Sequence, residues 1–212
     1  DIMRVFLTGG RGAIGSAITE QLIENGIDTI APSSSELDLS SDFDCSVYPE
    51  IDGSIHCAGI NILARHENIN ASDFFRLFKI NTLSFVSLCS QLKIKKGGSI
   101  VGIGSLYATT TKEERIQYTM SKHALHGAVK TIAIEKAKEQ IKVNMISPGF
   151  VDTAMTRRNN TEQRIADLNS MIPLGMVNSK QIASMCVYLI TKNTSITGQN
   201  FIIDGGYSLR GL

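Results

Sequence analysis

Tyr118-Thr119-Met120-Ser121-Lys122, with Ser105 thirteen residues upstream, is the part of the chain best equipped for chemistry. On a helix, a tyrosine and a lysine at i and i+4 stand on one face about one turn apart. A free phenol, with a pKa of about 10, transfers a proton poorly at neutral pH. An ammonium fixed beside it favours the phenolate and draws that value toward the working range. A serine hydroxyl from a second element can hold a carbonyl oxygen next to the phenol. Such a set moves a proton on and off an alcohol or a ketone. The same spacing also occurs on many solvated helix faces, so the surrounding elements decide the reading.

The first of those elements opens the chain. Met3-Arg4-Val5-Phe6-Leu7 reads as an apolar strand and Thr8-Gly9-Gly10-Arg11-Gly12-Ala13-Ile14-Gly15 as a glycine-rich turn. Ile14, Ala17, Ile18 and Leu22 then recur at helical spacing up to a stop at Asn25-Gly26. Strand, turn and amphipathic helix form the setting in which such a loop binds a dinucleotide. Glycines admit the pyrophosphate close to the backbone, and the helix start offers unpaired N–H groups and a positive dipole end. An ordinary tight turn is the plain alternative. Ala13 stands where the pattern T-G-x-x-x-G-x-G has a glycine; its methyl disfavours positive φ, so a slightly displaced turn is expected.

Strand-like and helical runs alternate along the rest. Expected strands are 28–31, a short one at 36–39, 53–59, 98–104, 142–146 and 200–203. Expected helices are 72–92, one carrying Tyr118 and Lys122 to about residue 139, and 179–191. This alternation implies an α/β fold, a single Rossmann-type domain whose doubly wound parallel sheet has helices on both faces. Ligands bind such sheets at the carboxyl ends of the strands, where Gly9, Gly59, Ser105 and Ser147 all fall. Asp1 and Ile2, ahead of Met3, are expected to be an expression remnant, leaving 3–212 as the domain.

The 212 residues carry a formal net charge of +1 with no basic block, which points away from nucleic acid and anionic membranes. No apolar run reaches spanning length. Four scattered cysteines without a C-x-x-C pair favour a reducing cytoplasm, with Cys57, Cys89 and Cys186 read as small buried hydrophobes. His56, His66, His123 and His126 form no metal-ligand pattern, so no metal is expected.

In motif order the chain resembles the short-chain dehydrogenase/reductase family from Thr8 to Gly206. The matching pieces are the glycine loop, His56-Cys57-Ala58-Gly59 at an N-N-A-G position, Lys79-Ile80-Asn81, Ser105, Tyr118-x-x-x-Lys122 and Asn144-x-Ile146-Ser147-Pro148-Gly149. Ile172-Pro173-Leu174-Gly175, Thr197-Gly198-Gln199 and Asp204-Gly205-Gly206 look like the 3-oxoacyl-carrier-protein reductase branch. The resemblance implies an NAD(P)(H)-dependent oxidoreductase interconverting a ketone and a secondary alcohol by hydride transfer. Tyr118 would be the general acid/base, and Lys122 would lower its pKa and bond the nicotinamide ribose. Ser105 would hold the substrate oxygen, and Asn81 would keep a water linking Lys122 to solvent. Thr8, Gly9, Gly10, Arg11, Ala13, Ile14 and Gly15 would cradle the cofactor together with Cys57, Ala58 and Gly59. Asp38 and Leu39 would sit at the adenine, and Pro148, Gly149, Val151 and Thr153 along the nicotinamide. Asn81 bracing a buried helix and Asp38 serving as a turn residue are the plain alternatives. A homotetramer or homodimer is also implied.

NADPH is expected over NADH. The second strand runs into Pro32-Ser33-Ser34-Ser35 without the acidic residue that selects a free ribose 2′-hydroxyl. Arg11 can pair with a 2′-phosphate, and Ser33 and Ser34 can hydrogen-bond it. Two departures stand out. The segment between the second and third long strands is short, which predicts a more open adenine side. His56-Cys57 replaces two asparagines, removing amides that could brace the central strands. A small carbonyl or alcohol is the expected substrate, its identity open; Gly104, Leu106, Tyr107 and Met155 are candidate pocket residues. Arg157, Arg158 and Arg164 either favour an anionic group or are simply solvated. A catalytically silent dinucleotide-binding sensor or scaffold is the alternative function. A sugar-nucleotide epimerase shares the Tyr-Lys pair but needs a larger C-terminal domain.

Overall fold

The computed structural model describes residues 2–153, 156–157 and 161–210. Six strands, β1 (Arg4–Thr8), β2 (Asp28–Ile30), β3 (Ile51–His56), β4 (Ile94–Ile103), β5 (Lys142–Pro148) and β6 (Asn200–Ile203), make one parallel sheet in the order β2-β1-β3-β4-β5-β6. The described helices are α1 (Ala13–Glu24), α2 (Ala71–Phe78), α3 (Ser84–Gln91), α4 (Ile116–Glu135), α5 (Glu162–Met171) and α6 (Ser179–Thr191).

Near-continuous burial along β3 and β5 follows from coverage of both faces. On one face Val5, Leu7, Ile55 and Val101 pack with Ile18 and Leu22 of α1 and Ile182, Cys186 and Leu189 of α6. On the other, Ile100, Val143 and Met145 pack with Phe85 of α3 and Leu125 and Val129 of α4. The alternation along each strand sends successive side chains to opposite layers, so one strand serves both. Because β1 lies between β2 and β3, the chain reverses direction across the sheet there, and a crevice opens between the ends of β1 and β3.

Residues 36–39 are a turn and not a strand. The Glu36 carboxylate accepts from the Ser33 amide and hydroxyl, both at 2.7 Å, and Asp38 accepts from Ser40 and Ser41. These local bonds compete with a ladder and win. The alternation that mimics a strand comes from Leu37 and Leu39 entering the core beside Phe6 and Ile51. The expected 72–92 helix is interrupted by a π-helical turn, Lys79–Leu83, between α2 and α3. The N-terminal half of β4, from Ile94, extends beyond the strand expected at 98–104.

Candidate active site

The turn after β1 is built by backbone crowding. Gly9 has φ +71°, and a Cβ there would lie 2.6 Å from the Ala58 nitrogen; one on Gly15 would lie 2.0 Å from the Gly9 oxygen. Ala13 needs no such freedom, since it is the first residue of α1 and exposed, so the displaced turn expected from its methyl is not required. No side chain caps α1 and no acidic residue lies in its first turn. Its leading N–H groups therefore suit a phosphate, and the residues present fit a dinucleotide.

A cleft of about 590 Å³ runs from this loop to the end of β3. It collects Thr8, Gly9, Gly10, Arg11, Ala13, Ile14, Gly15, Ser33, Ser34, Asp38, Leu39, Cys57, Ala58, Gly59 and Thr153. Cys57 thus lines the cleft while also packing against the core. Ser33 is buried with its hydroxyl donated to Glu36, leaving Ser34 as the exposed serine. Asp38 lines the cleft while bonding Ser40 and Ser41.

The cleft reaches the chemistry at Gly59, where a Cβ would lie 3.3 Å from Asn81 Oδ1 and 3.7 Å from Lys122 Nζ. The Asn81 side chain pairs with Ile60 like a strand neighbour, accepting from its amide at 2.8 Å and donating to its carbonyl at 2.9 Å; it also donates to Ser121 Oγ. Its amide is thus engaged in bracing. Lys122 is buried, donates to the Ile103 carbonyl at 2.9 Å, and lies 5.5 Å from the Tyr118 ring centre. Burial brings the Lys122 ammonium down to about 8. Burial also raises the Tyr118 phenol, opposed first by the Ser105 hydrogen bond. The lowering expected from the i, i+4 ammonium is not what opposes desolvation here; the Ser105 hydrogen bond and the Arg115 charge do. Ser105 caps a short 3₁₀ turn through the Tyr107 amide, and the Tyr107 ring meets Tyr118 edge-on at 6.1 Å.

Pro148 and Gly149 end β5, where Gly149 meets Asp204 so closely that a Cβ would lie 2.6 Å from the Asp204 Cβ. Val151 bridges Val177, and Thr153 Oγ1 accepts from the Thr156 amide. Arg157 is held by Asp152, and Arg164 is exposed. Asp1, Met155 and Arg158 lie outside the described residues.

His56 corrects the expectation of lost bracing. Thr8 Oγ1 accepts from the Ala58 amide and donates to His56 Nδ1 at 2.9 Å, a direction set by Ser84, whose own proton goes to the Ile80 carbonyl so that it accepts from Nε2. The imidazole then carries its proton on Nε2, facing Ser84 Oγ at 3.3 Å, which donates to the Ile80 carbonyl at 2.6 Å. One ring ties the phosphate loop to the π-turn that carries Asn81. Burial pushes His56 down to about 3, with the Lys122 charge adding to the effect. Sequence reasoning also missed Arg76, which lines the cleft, and Arg115, whose charge favours the Tyr107 and Tyr118 phenolates. On an amphipathic helix and in a polar loop, both arginines read as solvated.

A profile of the enoyl-(acyl carrier protein) reductase family matches residues 44–208. Carbonyl reductase family member 4 of Xenopus laevis is 33% identical over 164 residues, 75% of this chain and 67% of that protein. The 3-oxoacyl-acyl-carrier-protein reductase FabG of Buchnera aphidicola is 30% identical over an alignment of 237 residues, 95% of each. Aldohexose dehydrogenase of Thermoplasma acidophilum has the same fold, with a TM-score of 0.86 at 23% identity over 99% of this chain and 95% of that one. The chain belongs to the short-chain dehydrogenase/reductase family and is an NAD(P)-dependent oxidoreductase. Among the described residues no helix is long and apolar enough to cross a membrane, and no side-chain cluster is arranged to hold a metal ion.

Proposed function

We propose that this chain interconverts a ketone and a secondary alcohol with NADP(H), Tyr118 acting as general acid and base. The observation that carries this is the grouping of Ser105, Tyr118 and buried Lys122, with Lys122 Nζ reaching Gly59, where the dinucleotide cleft ends. When bound, the nicotinamide supplies or accepts the hydride. In reduction, the Tyr118 hydroxyl gives its proton to the carbonyl oxygen as that oxygen gains charge, and Ser105 donates a hydrogen bond to the same atom. Lys122 offsets the phenolate left behind and returns a proton to it. Asn81 holds the Ile60 backbone and so the strand end that passes Lys122.

Preference for NADP(H) is supported by Arg11, a cation in the cleft, and by exposed Ser34 at the end of β2. A relative of this fold, ElxO, was solved with NADP bound; its TM-score is 0.83 at 20% identity over 99% of this chain and all of that one. Assembly as a homodimer or homotetramer is supported by exposed Phe75, Leu83, Val86 and Met120 on α2–α4 and the π-turn between them.

The test is oxidation of NADPH and NADH over a panel of 3-oxoacyl thioesters, aldoses and simple ketones, run beside Tyr118→Phe. Turnover of at least one carbonyl by the wild type, abolished in the variant, is expected. Tight dinucleotide binding without turnover on any member would favour a silent binding protein.

A further inference from the structure

The stretch between β2 and β3 contains no helix, so that stretch supplies only a turn to the adenosine end of the cleft. The α2 side contributes Arg76 and, one turn on, Ile80, which line the same cleft as Asp38 of that turn. The Arg76 guanidinium makes no hydrogen bond or ion pair among the described residues. Asp38 feels its charge, yet gives its oxygens to Ser40 and Ser41 and does not lock the side chain in place. The groups suited to phosphate, Arg11 and the start of α1, lie on the loop after β1. Around Arg76 the neighbours are instead an apolar side chain and a carboxylate, which match a flat base with a polar edge. A guanidinium is planar, weakly hydrated and stacks on aromatic faces.

We propose that Arg76 belongs to the adenine subsite, its guanidinium lying against the purine and strengthening the binding of NADPH and NADH alike. This rests on the dinucleotide reading of the cleft.

Calorimetric titration of NADPH, NADH, AMP and nicotinamide mononucleotide against wild type, Arg76→Ala and Arg76→Lys tests it. Arg76 is exposed, so both variants should melt with the wild type. Arg76→Ala should weaken NADPH, NADH and AMP each by about threefold to tenfold, leaving the mononucleotide unchanged. Arg76→Lys, which keeps the charge and loses the plane, should stay weakened. A loss confined to NADPH, or full recovery by lysine, makes Arg76 a charge contact to the 2′-phosphate and overturns the adenine assignment. Unchanged affinities in Arg76→Ala overturn it as well. A wild type that binds neither dinucleotide sinks the reading of the cleft itself, a result separate from failure of Arg76 alone.

Discussion

Lys122 Nζ lies 5.5 Å from the centre of the Tyr118 ring while donating to the Ile103 carbonyl at 2.9 Å. That backbone bond aims the side chain, so Lys122 is held beside the phenol and not merely close to it in sequence. The pair shares a dehydrated pocket in which burial disfavours both charged forms, raising the phenol and lowering the ammonium to about 8.

Removing the phenol proton tests the assignment most directly. Tyr118→Phe should lower kcat by roughly 10²–10⁴-fold, the range for loss of a general acid. Affinity for NADPH should change by less than about twofold, because the hydroxyl acts on substrate oxygen and not on the phosphates. A variant keeping a tenth of wild-type kcat would remove Tyr118 from the role.

Lys122 also has a thermodynamic signature. Its folded value is about 8 and its ordinary value 10.5, so between these the unfolded chain binds the extra proton. Stability should therefore rise with pH across that window relative to Lys122→Met. Denaturant unfolding at pH 7.5 and 10 for both proteins checks the sign; a difference that stays flat or falls contradicts it.

His56 behaves oppositely to a surface histidine. Held neutral to about 3, it leaves the unfolded chain alone to take up a proton as pH falls below 6.5. Between pH 7 and 5 the wild type should lose about 2 kcal/mol more stability than His56→Asn. His56→Leu strands the Thr8 and Ser84 hydroxyls and should cost about 2–3 kcal/mol at pH 7. Nitrogen NMR of the imidazole should show the Nε2–H form throughout pH 5–9, and titration near 6.5 would rule the buried network out.

At Gly15 the obstruction is backbone against backbone, the Gly9 oxygen 2.0 Å from an added Cβ. Gly15→Ala should destabilise the fold by more than about 2 kcal/mol and abolish dinucleotide binding. Gly12→Ala, whose nearest neighbour would be 3.5 Å away, should stay within about 0.5 kcal/mol of wild type. Equal losses in the two variants would mean that flexibility, and not the close approach, is what the loop requires.

Much of this site was legible because its pieces are local. The glycine loop announces itself through residues adjacent in the chain, and Tyr118 and Lys122 share a face because helical periodicity puts them there. Misreadings occurred where local cues admit two outcomes. Leu37 and Leu39 alternate like strand residues, and only the bonds of Glu36 and Asp38 to nearby serines turn the chain instead. For Asn81 the chain by itself left a bracing and a water-holding role side by side, and the fold adds the partners of its amide, Ile60 and Ser121.

Periodicity, glycine placement and motif order were enough to establish a parallel α/β sheet and to put Tyr118 and Lys122 one turn apart on a helix, since each depends on neighbours a few positions apart. Sheet order alone decided that His56 reaches Thr8, 48 residues away, and the tertiary fold that Arg76 from α2 lines one cleft with Asp38. Contacts of that kind are made when strands align, and the same alignment that buries Lys122 sets the charge it carries.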